Sequence, residues 1–228
     1  MPDTSPAPYQ LPDDRVVEAW RRMIDDYLIC DPLEPAFAAR LAAGRPESFA
    51  ELGSATGPIS QLLQTQGVEC VALDLNPPDD HFRPMVRADL LSLPFRRRSF
   101  DAVSAVNCLY FLADPVLAIR AASELLRSGG TFLASAPSRF HDPELSEVLD
   151  GWGEPSPFDA ENAEALVGQV FADLDVRWWE VPAFHLADRS AVVDYLIAFK
   201  QADPEIKAEA IKTPVTVTKS GCDVWAAA

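Results

Sequence analysis

The sequence is short of positive charge: 19 lysines and arginines stand against 35 aspartates and glutamates, and the formal net charge is −16. Such a field repels phosphate backbones and anionic lipid, so neither nucleic acid nor a membrane surface is an expected partner. No lysine precedes Lys200, which removes the Gly-Lys-Ser/Thr ending of a phosphate-binding P-loop. Histidine is scarce as well. His81, His141 and His185 stand alone, without paired-ligand spacing, and no metal is expected. Cys30, Cys70, Cys108 and Cys222 form no Cys-x-x-Cys pair and read as reduced thiols. No apolar stretch approaches the roughly 20 residues that span a bilayer, and the first residues lack the basic start and apolar run of a signal peptide. The expectation is a soluble cytoplasmic protein.

What is present is organised around Ser48-Phe49-Ala50-Glu51-Leu52-Gly53-Ser54-Ala55-Thr56-Gly57-Pro58-Ile59-Ser60. A small apolar run ends in an acid, two glycines follow, and a proline opens a helical pattern. This reads as a strand, a tight turn and a helix N-terminus. Gly53 permits torsions and close approaches that a Cβ blocks. Pro58 suits a first helical turn, where its missing N–H has no partner to lose. Free N–H groups at that helix start favour an anionic ligand group. A dinucleotide site asks for Gly-x-Gly-x-x-Gly, whereas the spacing here is Gly-x-x-x-Gly with Ala55 between.

Along the chain, the proline-rich residues 1–13 are expected to be mobile, and 14–228 to form a single domain. Within it, 14–46 is a helical cap whose first helix should bury Val16, Val17, Trp20, Ile24, Tyr27 and Leu28 on one face. Residues 47–137 alternate strand and helix and form the ligand-binding half; 138–228 form the substrate-side half. The alternation predicts an α/β fold, a doubly wound parallel sheet with helices on both faces. A helix opened by Asp114-Pro115 should stop at Ser128-Gly129-Gly130, glycines suited to a C-cap. Trp178 and Trp179, adjacent on a strand, point to opposite faces and are expected to pack in the core against the last helix. Val215–Lys219 and then Cys222–Ala226, around Ser220-Gly221, should be strand. Asp74 closes the second strand, where a carboxylate can accept two hydrogen bonds from a ribose diol; a plain surface aspartate is the other reading.

Glu51-Leu52-Gly53-Ser54-Ala55-Thr56-Gly57 resembles motif I of the class I S-adenosylmethionine-dependent methyltransferases, acid-Leu-Gly-x-Gly-x-Gly, with Ala55 replacing the middle glycine. Ala88-Asp89-Leu90, Leu93-Pro94-Phe95 and Ser99-Phe100-Asp101-Ala102-Val103 are similar to the family's short third strand, its turn and its fourth strand. Leu125-Leu126-Arg127-Ser128-Gly129-Gly130 is similar to its later signature, with Ser128 in a proline place. The resemblance covers roughly Phe49 to Pro137 and is to the small-molecule, type 11 kind. It implies a Rossmann-like seven-stranded sheet whose last strand is antiparallel. It also implies S-adenosyl-L-methionine as cofactor and S-adenosyl-L-homocysteine as product, held by Glu51, Gly53, Ser54, Ala55, Gly57, Asp74, Leu75, Asp89, Leu90 and Asn107. Asp89 would meet the adenine amino group, and Asn107 the methionine part or the substrate.

The expected activity is in-line transfer of a methyl group to a small-molecule acceptor, without metal. The acceptor cleft should be roofed by the N-terminal helix, the 138–157 segment and the loop after Pro182. His141, just beyond the fifth strand and flanked by Phe140 and Asp142, is the candidate general base; a solvent-facing loop histidine is the plainer reading. The competing functions are a non-catalytic relative that binds the nucleoside ligand, and an NAD(P)-dependent oxidoreductase.

Overall fold

The computed structural model describes residues 13–228, so the segment expected to be mobile lies outside the described residues except for Asp13. Asp13 caps helix α1 (Asp14–Arg22), its carboxylate accepting the Val16 N–H at 2.9 Å. A π-helical turn (Met23–Tyr27) and α2 (Glu34–Ala43) complete the N-terminal part. Then follow β1 (Ser48–Leu52), α3 (Pro58–Gln64), β2 (Glu69–Asp74), β3 (Met85–Arg87), β4 (Phe100–Val106), α4 (Pro115–Leu125), β5 (Leu126–Pro137), α5 (Ala160–Val167), β6 (Asp173–Leu186), α6 (Arg189–Ala198), α7 (Pro204–Lys207) and β7 (Val215–Ala227).

The strands make one sheet in the order β3-β2-β1-β4-β5-β7-β6. β1 to β5 run parallel to one another, and β7 runs antiparallel between β5 and β6. This is the class I methyltransferase Rossmann-like fold. Both faces are covered because the central strands are largely apolar, and β1 is buried at every position. α4 and α5 close one face over Val103, Phe132 and Val224; α2 and α3 close the other, packing Phe37 and Leu63 with Phe49 and Trp225.

The long antiparallel β6–β7 pair, joined through α6 and α7, outruns the sheet. β5 pairs with β7 only as far as Pro137 against Gly221, whereas β6 stays with β7 to Leu186 against Val215. The projecting end carries its own apolar cluster, in which Val16, Ala19 and Met23 of the N-terminal helix pack with Phe184, Val192, Tyr195, Leu196 and Val217. A bidentate pair, Arg22 to Asp194 at 2.6 and 2.8 Å, ties this roof together, and the Tyr27 hydroxyl donates to the same carboxylate at 2.8 Å.

Three local expectations are corrected. α1 buries Val16 and Ala19 and the π-helical turn buries Met23, while Val17, Trp20 and Ile24 stay exposed, because this segment meets α6 and the β6–β7 pair on one narrow side. α4 ends at Leu125, not at the glycines. Leu126 already pairs with Phe100, and Gly129, at φ 77°, shapes the bulge that leads into the rest of β5. Trp178 is 58% exposed. Trp179 is half-buried over Gly221 with its Nε1–H donated to Asp223 at 3.0 Å. Neither enters the core, since β6 is the sheet's edge.

Candidate active site

The carboxyl ends of β1, β2 and β4 carry the first group of predicted residues. Leu52 pairs with Leu73 and with Ala105, so Gly53, Asp74 and the residues leading to Asn107 emerge side by side. Gly53 adopts φ 61°, and a Cβ there would sit 2.5 Å from that of Cys108. Gly57 adopts φ 77°, and a Cβ there would sit 2.6 Å from that of Phe82. Both glycines are required by the turn and by what crosses it. Ala55 takes φ 47°, the left-handed region that a side chain disfavours.

Carboxylates hold this loop. Glu51 is buried and accepts the N–H groups of Ile59 at 3.2 Å and Ser60 at 2.7 Å, thereby pinning the start of α3 to the end of β1. Burial pushes its carboxyl up, against the pull of those hydrogen bonds. Asp74 accepts the Ala55 N–H through Oδ2 and the Asn76 N–H through Oδ1, both at 2.8 Å. Each oxygen has a second lone pair, so the same carboxylate can still accept from two hydroxyls. Asp89 accepts the Leu91 N–H at 2.9 Å and is itself exposed. Leu90 packs against the core beside Gly53; Leu75 is 48% exposed. Ser54 is buried, donating its N–H to Leu73 at 3.0 Å, and Asn107, at φ 52°, is exposed at the end of β4. The loop, Asp74, Asp89 and Asn107 therefore line up along strand ends, whereas Glu51 and Ser54 are turned into the fold.

Beyond these ends lies a cleft of about 550 Å³. Its walls come from α1 (Val16, Trp20), from Tyr110 and Phe111 after β4, from the 137–159 segment, and from the end of α6 (Ala198–Gln201). Trp20 packs on Phe199 with ring centroids 5.2 Å apart. The segment after Pro182, expected in the roof, continues β6 instead; the end of α6 supplies that wall. Charges around the cleft are largely paired: Arg139 with Asp159 at 3.0 Å, and Lys207 with Asp150 at 2.6 Å.

His141 lines this cleft with its side chain 24% exposed. Its Nδ1 lies 2.7 Å from Asp142 Oδ2, and its carbonyl accepts the Trp152 indole N–H at 2.7 Å. Asp142 is fully buried at φ 60°, with its N–H donated to Thr218. Burial pulls the Asp142 carboxyl up, but the His141 hydrogen bond and the Lys219 charge outweigh it and hold it low. Sequence reasoning did not find Lys219, whose ammonium lies 2.7 Å from Asp142 Oδ2. The signal was there: strand alternation puts this residue on the same face as Val215 and Val217, and a charge on an apolar face asks for a partner. His81 only reaches the Pro78 carbonyl in its own loop. Among the described residues, no three His, Cys, Asp or Glu side chains gather as a metal site, and no helix is long and apolar enough to cross a membrane.

A doubly wound sheet with a glycine turn and carboxylates at its strand ends defines a Rossmann-like binding fold of the methyltransferase type. The sequence family described as "Methyltransferase domain" matches residues 50–134. Over those residues the chain is similar to that family, and its fold is the one class I S-adenosylmethionine-dependent methyltransferases have. Solved structures agree on the fold. A methyltransferase assigned to an antibiotic biosynthesis pathway of Anabaena variabilis aligns with a TM-score of 0.63 at 12% identity, over 84% of this chain and 96% of that one. A SAM-dependent methyltransferase from Archaeoglobus fulgidus aligns at 0.53 and 15%, over 86% and 94%. The [4+2]-cyclase SpnF aligns at 0.51 and 14%, over 84% and 80%. The search of curated protein sequences gave no match.

Proposed function

We propose that the protein moves a methyl group from S-adenosylmethionine to a small-molecule acceptor by in-line displacement, leaving S-adenosylhomocysteine. The observation that carries this reading is the placement of the glycine loop and the Asp74 and Asp89 carboxylates at the strand ends, beside an aromatic-walled cleft of about 550 Å³. A cleft of this size suits a small ligand. The donor set suits the cofactor: Asp74 has two acceptor positions for a ribose diol, and Asp89 carries the carboxylate for the adenine amino group. Ala55, Gly57, Leu75, Leu90 and Asn107 border that path, while Glu51 and Ser54 act by fixing the loop.

Bound there, the cofactor supplies a sulfonium methyl that is already a strong electrophile, so the reaction requires no metal. The chain's own part is to align the acceptor and exclude water, which is worth up to ~7–11 kcal/mol in favourable cases. Trp20, Phe199 and Trp152 offer apolar surface for that purpose. His141 serves as general base. With Nδ1–H donated to Asp142, its Nε2 takes the proton of the acceptor hydroxyl or amine as the new bond to carbon forms and the sulfur–carbon bond breaks. The proton then leaves to solvent. The acidic surface argues against nucleic acid and anionic membrane as partners, and four free thiols suit a cytoplasmic setting.

Ala55 supports one second reading, in which the chain binds the nucleoside ligand but transfers no methyl; one fold carries many reactions, and SpnF is named for a cyclisation. Incubating the protein with methyl-labelled cofactor and a low-mass metabolite extract separates the two. Label in a small molecule is expected. Bound cofactor without any transferred label would favour the second reading.

A further inference from the structure

Beneath the cleft, a sequence neighbour and a side chain 77 residues away converge on one carboxylate. Asp142 Oδ2 lies 2.7 Å from His141 Nδ1 and 2.7 Å from Lys219 Nζ, and the two nitrogens are 3.2 Å apart. The lysine is enclosed by aromatic rings, with Phe199 at 4.1 Å, Tyr195 at 5.1 Å and Phe184 at 5.9 Å from its nitrogen. Ring faces and a carboxylate both favour the ammonium form. Burial holds Lys219 below the usual ammonium range, and the Asp142 charge offsets only part of that.

Other charges near His141 weigh less. Tyr195, from α6, is pushed well up by burial and by the Asp142 charge, so it faces this group as a neutral phenol. Glu144 is engaged with the Thr218 N–H and hydroxyl, and Asp150 with Lys207. Lys200 lines the cleft from an exposed position where solvent and salt screen it. The balance at the imidazole therefore lies between Asp142 and Lys219. An anionic partner alone would favour imidazolium, which cannot accept a proton.

We propose that Lys219 is a positioning residue for His141: its ammonium neutralises Asp142, so the carboxylate fixes the Nδ1–H tautomer without holding the ring protonated, and Nε2 stays open to the cleft. The inference rests on the reading of His141 as base, but its test does not need turnover. Nitrogen NMR of protein labelled at histidine, with His141→Gln used to assign the signal among three histidines, reads tautomer and titration directly. The neutral His141 ring should show a protonated Nδ1 and a bare Nε2. In Lys219→Met, which keeps an apolar stem among the rings, that tautomer should persist while its titration midpoint moves to higher pH by about one unit or more. If this variant does not fold, Asp142→Asn serves: the Nδ1–H preference should be lost and the midpoint should fall. A wild-type ring protonated at Nε2, or an unchanged midpoint in the folded variant, overturns the proposal. A normal rate in His141→Ala would instead overturn the base while leaving the NMR result standing. With an acceptor in hand, the lower limb of the Lys219→Met rate profile should move with the midpoint, which loss of packing alone would not produce.

Discussion

Around β1 to β4, the candidate ligand groups lie within a few residues of a strand end, and much of the site is backbone: Gly53, Ala55 and Gly57 in left-handed torsions, N–H groups held by Glu51 and Asp74. Around β5 to β7 the site is made of side chains that meet across the chain, His141 with Lys219 over 78 residues and Arg22 with Asp194 over 172. A loop built from torsions and strand register leaves little room for change, because each atom is fixed by its neighbours in sequence. A cleft walled by helix ends and connecting segments can vary its lining while the sheet stays put. On the proposed function, the geometrically constrained half would hold the cofactor and the more variable half the acceptor.

That contrast breaks if the loop tolerates a side chain at Gly53. Gly53→Ala is expected to cost about 2–5 kcal/mol, from a left-handed torsion and a Cβ pressed against Cys108. Denaturant unfolding checks this; a loss under about 0.5 kcal/mol would show that the loop relaxes easily. In the other half, His141→Ala should leave the fold intact and lower the transfer rate at least ~10²-fold, about 2.7 kcal/mol in barrier. A variant within a few-fold of wild type from pH 6 to 9 would leave proximity alone as the mechanism. The smallest effect sharpens the comparison. Ala55 pays a left-handed penalty of roughly 1–2 kcal/mol, which outweighs the ~1 kcal/mol or less that glycine's unfolded freedom costs. Ala55→Gly should therefore raise stability slightly, by up to ~1 kcal/mol, and a clear drop would mean that the methyl makes a contact of its own.

The same contrast explains what could be read from the sequence. The alternation of strand and helix was legible because glycine turns and apolar runs are local signals, whereas the antiparallel final strand came only from the family resemblance. His141 and Asp142 could be named as neighbours for the same reason. Lys219 was not found: it stands out locally as a charge on an apolar strand face, but nothing local named Asp142 as its partner or brought Tyr195 of α6 beside it. The misread face of α1 has a similar cause: periodicity marks an apolar stripe, but the partner decides which part is buried. Trp178 and Trp179 were assigned to a core that the edge position of β6 does not provide.

The central claim is that this chain holds S-adenosylmethionine at the loop between β1 and α3 and at Asp74. Calorimetry of the wild type and Asp74→Ala against S-adenosylhomocysteine, with NAD as comparison, tests it most directly. The wild type should bind the homocysteine form at one site and ignore NAD, and the folded variant should lose roughly ten- to a hundredfold in affinity, about 1.5–3 kcal/mol. No heat from the nucleoside ligand, or equal binding by wild type and variant, would contradict the account.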